Sequence, residues 1–257
     1  MPASGGVTRN TLRQQIADAL RDEVLAGRLQ PGQEFTVKQI AEQYGVSATP
    51  VREALVDLSA QGLLDSDQHK GFRVHQFSVA DYRGMVEARA LIVDGAFRRL
   101  AERAAAASAA RESAGAGERP PAARATGDAP AGDRPRGCVR GAALVSVRRR
   151  AEAAARAARA GDLDILIAYD VRFWRELGGF IGNHYIADFL HRLRVQAWVF
   201  AVPYLRGDGR MCDWLWSGHE DLVDAVTLGE PAQVLAVIDA YNAHSLKWAD
   251  HLERLAG

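Results

Sequence analysis

The chain has 257 residues with equal numbers of basic and acidic side chains, 32 of each, so its formal net charge is zero. Apolar residues make up 48% and charged residues 25%, which is typical of a globular protein with room for two domains. Its apolar runs are far too short to span a membrane. Residues 1–10 have no apolar core of a signal peptide, and Cys138 and Cys212 form no disulfide framework. These features favour a cytoplasmic protein without a membrane partner.

The first zone, residues 8–74, begins with apolar residues at helical spacing. Leu12, Ile16, Leu20 and Val24 fall on one helical face, and Gly27 follows where a helix-ending glycine is expected. A turn at residues 29–32 comes next. The pattern predicts one amphipathic helix and then a change of chain direction.

Two shorter helices and a pair of strands complete this zone. Gly45 closes the second helix, and Thr49 and Pro50 are predicted as the N-cap and first residue of the third. The third helix has an apolar stripe and is predicted to end at Gly62. Its stripe consists of Val51, Ala54, Leu55 and Leu58. Residues 63–64 and 72–74 are predicted strands around a polar loop.

This order predicts a winged helix-turn-helix. The stripe leaves Arg52 on the outer face of the third helix, where a guanidinium can pair with guanine in the major groove. The predicted DNA contacts are Lys38, Ser47, Thr49 and Arg52, with Lys70 and Gly71 at the tip of the wing. Because the chain is not basic overall, its cations must lie on one face, and a dimer must double them. The same topology also occurs in protein-binding modules.

The second zone, residues 101–143, has an atypical low-complexity composition. Between Ala101 and Cys138 there is no Val, Leu, Ile, Met or aromatic residue. Such a stretch buries too little apolar area to offset the entropy of ordering. It is interpreted as a disordered or loosely helical insertion, with a local reading-frame error as the alternative.

The third zone is helical throughout. Helices are predicted at residues 91–100, 148–160, 163–177, 185–204, 214–228 and 231–255, joined by short connections. They predict an antiparallel all-helical bundle. The fold class is therefore mainly α, with a winged helix-turn-helix over residues 1–77 and an all-helical domain over 78–257.

The first zone resembles the GntR family of bacterial regulators. The resemblance is carried by residues 27–32, by the run from Ile40 to Leu55, and by Leu58 and Gly62 with Leu63. It implies the same operator-contacting residues as the helix-turn-helix pattern. One departure is Ala48, where the family commonly has Arg, so one expected DNA contact is absent.

The third zone resembles the FCD effector domain of the FadR branch of that family. The carriers are residues 87–89, 170–173, 182–183 and 219–225. Many FCD domains bind a divalent metal through one Asp and three His, and the metal helps hold a carboxylate effector. Asp170 and His219 match two of these positions. Trp174 and Tyr241 stand at the other two.

The resemblance leaves two forms of effector site open. In one, Asp170, His219 and His244 hold a divalent metal, zinc or nickel, with waters completing its shell. In the other, the pocket holds no metal and is lined by Trp174 and Tyr241, because such sites usually need their full ligand set.

Arg89 is a further effector-site residue, either as a clamp for a carboxylate or as half of a salt bridge within the domain.

The expected function is a homodimeric repressor, not an enzyme, that binds an inverted-repeat operator and leaves it when a small carboxylate binds. The alternatives are a metal-dependent small-molecule enzyme and a winged-helix interaction adaptor. No nucleophile elbow or phosphate-binding glycine loop supports the enzyme.

Overall fold

The computed structural model describes residues 5–67, 71–96, 136–228 and 231–256. Residues 5–74 form a small unit, here called the head, which begins with helix α1, Gly5–Leu25. Helix α2, Val37–Tyr44, has a capping box in which Thr36 and Gln39 satisfy each other's backbone N–H groups. Helix α2 ends at Gly45, whose φ of 64° is in the left-handed region that favours glycine.

Helix α3, Ala48–Ala60, follows a two-residue turn. The prediction that Thr49 caps this helix is wrong, because the N-cap is Ser47 and Thr49 already lies within the first turn. The stripe predicted to be buried is buried, with Val51, Ala54, Leu55 and Leu58 each at most 1% exposed. These side chains pack α3 against α1 and so fix which face of α3 points outward.

A three-stranded antiparallel sheet completes the head, in the order β1–β3–β2. Strands β2, Leu64–Asp67, and β3, Gly71–Val74, form the predicted hairpin. Strand β1, Glu34–Phe35, was not predicted, because two residues are too few to show an alternating pattern. It pairs Phe35 with Phe72 and so holds the hairpin against the head.

The remaining helices form the bundle, which starts at α4, residues 79–96. Helix α4 begins well before the predicted residue 91, and Leu91 on it is 71% exposed. Helix α5, Arg136–Ala160, also begins before its predicted residue 148, so the last residues of the 101–143 segment are helical. Residues 101–135 of that segment, and residues 97–100 at the end of the predicted helix 91–100, lie outside the described residues.

Four further helical segments have nearly the predicted positions. They are α6, Leu163–Gly179; α7, His184–Gly207; α8, His219–Leu228; and α9, Pro231–Ala256. The predicted start of α8 at Trp214 is wrong, since Met211–Trp214 forms a separate 3-10 turn. Within the described ranges, no helix combines the length and apolar character that crossing a bilayer requires.

A substitution at Gly71 tests how closely β3 approaches β1 in the wing. Gly71 has a φ of +99°, and a Cβ atom there would lie 2.7 Å from the carbonyl oxygen of Phe35. We expect Gly71→Ala to destabilise the head by about 1–2 kcal/mol for the left-handed conformation and by about 1–3 kcal/mol more for the steric clash. Urea denaturation monitored by circular dichroism measures the loss.

The matched control is Gly45→Ala, because Gly45 also has a positive φ, of 64°, but open space around it. This variant should show only the conformational part of the cost. Equal losses for the two variants would contradict the close approach of β3 to β1.

Candidate functional site

The outward face of α3 carries polar side chains that the packing of the head leaves free. Arg52, Glu53 and Val56 are exposed, as predicted from the buried stripe. Ser47, Ala48 and Thr49 at the start of the helix are exposed too, and Ser47 makes no side-chain cap hydrogen bond. The first turn of α3 therefore presents hydroxyl groups and backbone N–H groups together, which is an arrangement that suits phosphate oxygens.

Most cations of the head are engaged by carboxylates. Ion pairs join Arg13 to Asp57, Arg21 to Asp18, Arg28 to Glu23, Lys38 to Glu42 and Arg73 to Asp65. Arg52 has no ion-pair partner among the described residues. It shares a groove with Lys38, whose 3.8 Å pair with Glu42 is exposed and therefore weak.

The wing is described in part. Lys70 lies outside the described residues. Gly71 is half-buried beside β1, and its close approach to Phe35 gives a structural reason for glycine at this position. That reason is independent of any contact with DNA.

The centre of the bundle is built around Asp170, a buried carboxylate of α6. Its Oδ1 accepts hydrogen bonds from Trp174 Nε1 at 3.0 Å and from His219 Nε2 at 2.9 Å. Its Oδ2 accepts one from Trp198 Nε1 at 2.6 Å and lies 3.6 Å from Arg194 Nη1. Burial alone would raise the pKa of Asp170, but the Arg194 charge and the hydrogen bonds from His219 and Trp198 hold that pKa below its usual range.

This donor set does not fit a divalent metal. A carboxylate has about four lone-pair sites, and Asp170 already directs its two oxygens at three N–H donors and a guanidinium. His244, the third ligand of the predicted metal site, instead donates through Nε2 to the carbonyl of Trp214 at 3.0 Å. No cluster of three or more His, Cys, Asp and Glu side chains that could hold a metal ion occurs in the described parts of the chain. The expected three-ligand arrangement is therefore not formed.

Arg89 of α4 is buried, and its hydrogen-bond partners within the described residues are neutral groups of α9. Its Nη1 donates to the hydroxyl of Tyr241 at 2.7 Å, and its Nε donates to the side-chain carbonyl of Asn242 at 3.0 Å. Its Nη2 lies 3.3 Å from the hydroxyl oxygen of Ser245. None of these partners is a carboxylate, so the alternative of an intradomain salt bridge is not formed among the described residues.

Arg194 of α7 is the central residue that sequence reasoning missed. It donates to the Tyr241 hydroxyl and stacks over the Trp174 ring, with Cζ 4.5 Å from the ring centroid. Its exposed fraction is only 6%. A usable signal was present, because Arg194 lies four residues before Trp198 and seven before Ala201, on the apolar face of a helix.

The predicted effector residues do come together. Tyr241 stacks on Trp174 with ring centroids 5.6 Å apart, and Trp216 lies 4.6 Å from both Tyr241 and His219. A small cavity of about 60 Å³ adjoins this cluster and is lined by Asp170, Arg194, Tyr241 and His244, among others. The bundle thus encloses a space with both charged and aromatic walls.

Helix α7 also joins the cavity to the head. Gln196 donates through Nε2 to the backbone carbonyl of Gln61, the C-cap of α3, at 2.8 Å. Val202 and Arg206 pack against Gly27, just beyond the end of α1. Because residues two apart point to opposite sides of a helix, Arg194 faces the cavity while Gln196 faces the head.

These features place the chain among bacterial regulatory proteins that join a helix-turn-helix to a helical domain. Residues 12–74 match the family described as bacterial regulatory proteins, gntR family, and residues 138–244 match the FCD domain. The chain belongs to the GntR family and carries an FCD domain. Both resemblances drawn from the sequence are confirmed, as is the mainly helical fold class.

Two curated relatives match part of the chain. The probable D-xylose utilization operon transcriptional repressor of Paenarthrobacter nicotinovorans is 41% identical over 95 residues, or 37% of this chain and 42% of that protein. The regulator McbR of Escherichia coli is 36% identical over 74 residues, or 29% of this chain and 34% of that protein. The matched region thus spans less than half of either relative.

Two solved structures share the fold over most of the chain. Escherichia coli McbR superposes with a TM-score of 0.59 at 18% identity, covering 94% of this chain and 98% of that one. A GntR regulator from a Rhodococcus species superposes with a TM-score of 0.61 at 16% identity, covering 92% and 96%. At such identities these matches show the fold.

The junction between head and bundle contains a titratable group, His191 of α7. Burial lowers the pKa of His191 to about 4, helped by the charges of Arg175 and Arg21 and opposed by Asp188. Between this value and the ordinary 6.5, the unfolded chain binds a proton that the folded chain does not. Stability should therefore fall as the pH falls from about 6.5 to about 4, and His191→Gln should flatten that slope in thermal denaturation.

His184→Gln is the control, since it removes an exposed histidine from the first turn of the same helix. It should keep the slope that His191 causes. A His191→Gln variant with an unchanged slope would show that the half-buried ring is protonated in the folded state.

Proposed function

We propose that this protein is a cytoplasmic homodimeric repressor that binds an inverted-repeat operator and releases it when a small carboxylate binds in the helical domain. The DNA-binding domain is taken as residues 1–77 and the effector domain as 78–257. The proposal is carried by one observation, the exposed face of α3 on which Arg52 has no carboxylate partner in the described head. The relative from Paenarthrobacter nicotinovorans is itself named a repressor.

The proposed operator contacts are Lys38, Ser47, Thr49 and Arg52, with Lys70 and Gly71 at the wing. The first turn of α3 would meet the phosphate backbone through its hydroxyl and N–H groups, and Arg52 would reach a guanine edge in the major groove. Because ion pairs engage Arg13, Arg21, Arg28 and Arg73, each head carries a small positive surface. Two heads on two half-sites would supply the phosphate contacts that one lacks.

The proposed effector residues are Arg89, Asp170, Trp174, His219, Tyr241 and His244. Their cluster lies beside α7, and α7 holds the C-terminal end of α3 through Gln196 and Gln61. A ligand that displaced α7 would therefore act directly on the helix that reads DNA. This gives the two sites a physical connection through one rigid element.

Arg52→Ala is the variant that tests operator binding. Loss of a bidentate guanine contact costs about 1–3 kcal/mol, so we expect operator affinity about 10- to 100-fold lower with an unchanged circular dichroism spectrum. Fluorescence anisotropy with labelled promoter DNA flanking the protein's own gene, against a scrambled duplex and across a salt series, measures the affinity. The wild type should lose affinity steeply as salt rises.

Arg28→Ala is the matched control, because Arg28 lies on the turn after α1 and pairs with Glu23, away from the exposed face of α3. It should bind the operator like the wild type. If Arg52→Ala and wild type bind equally, the groove contact is wrong; if neither prefers the promoter duplex, the adaptor interpretation gains support.

A further inference from the structure

The buried cluster of the bundle carries more positive than negative charge. Arg89 and Arg194 are 8% and 6% exposed, and Asp170 is the one carboxylate in contact with either of them within the described residues. The partners of Arg89 are the neutral side chains of Tyr241, Asn242 and Ser245. Because guanidinium groups stay protonated in proteins, two positive charges face one negative charge.

An excess buried charge is costly unless a counter-charge is supplied. Burial lowers the pKa of Arg89, which reflects how poorly this environment solvates its charge. The Arg194 guanidinium is stabilised by Asp170, yet its Nη2 is buried and has no hydrogen-bond partner. The Nη2 group of Arg194 is therefore a charged donor without an acceptor among these side chains.

Both guanidiniums line a second cavity, distinct from the aromatic one. It has a volume of about 40 Å³, and its remaining wall is mostly apolar, with Val93, Leu177 and Leu190 among the lining residues. No carboxylate among the described residues lines it. Arg194 thus lies between a cavity lined in part by Asp170 and one whose charged lining side chains, within the described ranges, are both cations.

We propose that Arg194 replaces the metal ion of related effector domains: its guanidinium neutralises Asp170 and binds the carboxylate of a short aliphatic monocarboxylate without any metal. This inference rests on the proposed effector function and specifies its chemistry. The carboxylate accepts from Nη2 of Arg194 and balances the charge of Arg89, while the hydrocarbon part lies against Val93, Leu177 and Leu190. A monoanion matches the single excess charge.

The test uses full-length protein freed of metal by EDTA, with the chelator then removed. Thermal unfolding is measured with sodium butyrate, sodium acetate, disodium succinate and neutral butyramide, at ionic strength held constant with NaCl. Butyrate should raise the melting temperature in a saturable way, butyramide should not, and succinate should bind at least tenfold more weakly than butyrate. Adding Zn²⁺ or Ni²⁺ should not raise the melting temperature further.

Arg194→Met should abolish the butyrate effect, and the control Arg192→Met, an exposed arginine two residues earlier on α7, should keep it. Because removing Arg194 leaves Asp170 without its ion pair, Arg194→Lys serves if the first variant does not fold. It retains the charge but not the planar fork, so its apparent dissociation constant for butyrate should be at least tenfold higher.

Three results would overturn the inference: no stabilisation by butyrate, equal stabilisation by butyramide, or stabilisation that appears only after Zn²⁺ or Ni²⁺ is added. Operator binding without carboxylate is measured on the same preparation. If the protein binds the operator but butyrate does not stabilise it, the role of Arg194 is refuted and the proposed regulator function is not. If butyrate binds but the operator does not, the proposed regulator function is refuted and the proposed carboxylate site is retained.

Discussion

A carboxylate buried in the middle of a helical bundle must find its hydrogen-bond donors inside the protein, and Asp170 imposes that requirement on its surroundings. Trp174 supplies a donor from its own helix, Trp198 and Arg194 from α7, and His219 from α8. Arg194 then bonds Tyr241 of α9, which accepts a hydrogen bond from Arg89 of α4. One polar network thus links five helices that hydrophobic packing alone would leave free to slide.

The network also accounts for the indole at residue 174. A metal needs lone pairs, whereas a carboxylate without a metal needs N–H donors. The indole of Trp174 has an N–H donor and no lone pair for a metal. It can therefore bond the Asp170 carboxylate but cannot bind a metal. Once Arg194 supplies the positive charge, Trp174 and Trp198 complete the shell of Asp170.

The features predictable from the sequence are those set by local patterns. The buried stripe of α3 and the end of α2 at Gly45 follow from residue spacing and from glycine's access to positive φ. The place of Arg89, Trp174 and Tyr241 in one cluster followed from the family resemblance. One local pattern gave a wrong boundary: the N-cap of α3 is Ser47 and not Thr49, so the helix begins two residues earlier than the Thr-Pro pair suggests.

The rest depended on contacts between residues distant in sequence. Strand β1 exists because Phe35 meets Phe72, which no pattern within residues 34–35 could show. The partners of Arg89 come from a helix more than 150 positions later in the chain, so sequence reasoning could not choose between a clamp and a salt bridge. Arg194 was overlooked because an arginine in an aromatic-rich helix is most simply taken as solvated.

Pro203 gives α7 an uneven stiffness. Proline has no backbone N–H, so the carbonyl of Val199 lacks its partner one turn later and the helix is weakest there. The contact from Gln196 to the end of α3 lies before this point, whereas Val202 and Arg206 meet Gly27 around and beyond it. A displacement of α7 that began at Arg194 would therefore be transmitted to α3 through continuous helix. Bending at Pro203 would reduce the displacement that reaches the end of α1. The head would pivot about Gly27 rather than shift as a whole, and in the proposed dimer such a pivot would change the angle at which the two heads meet their half-sites.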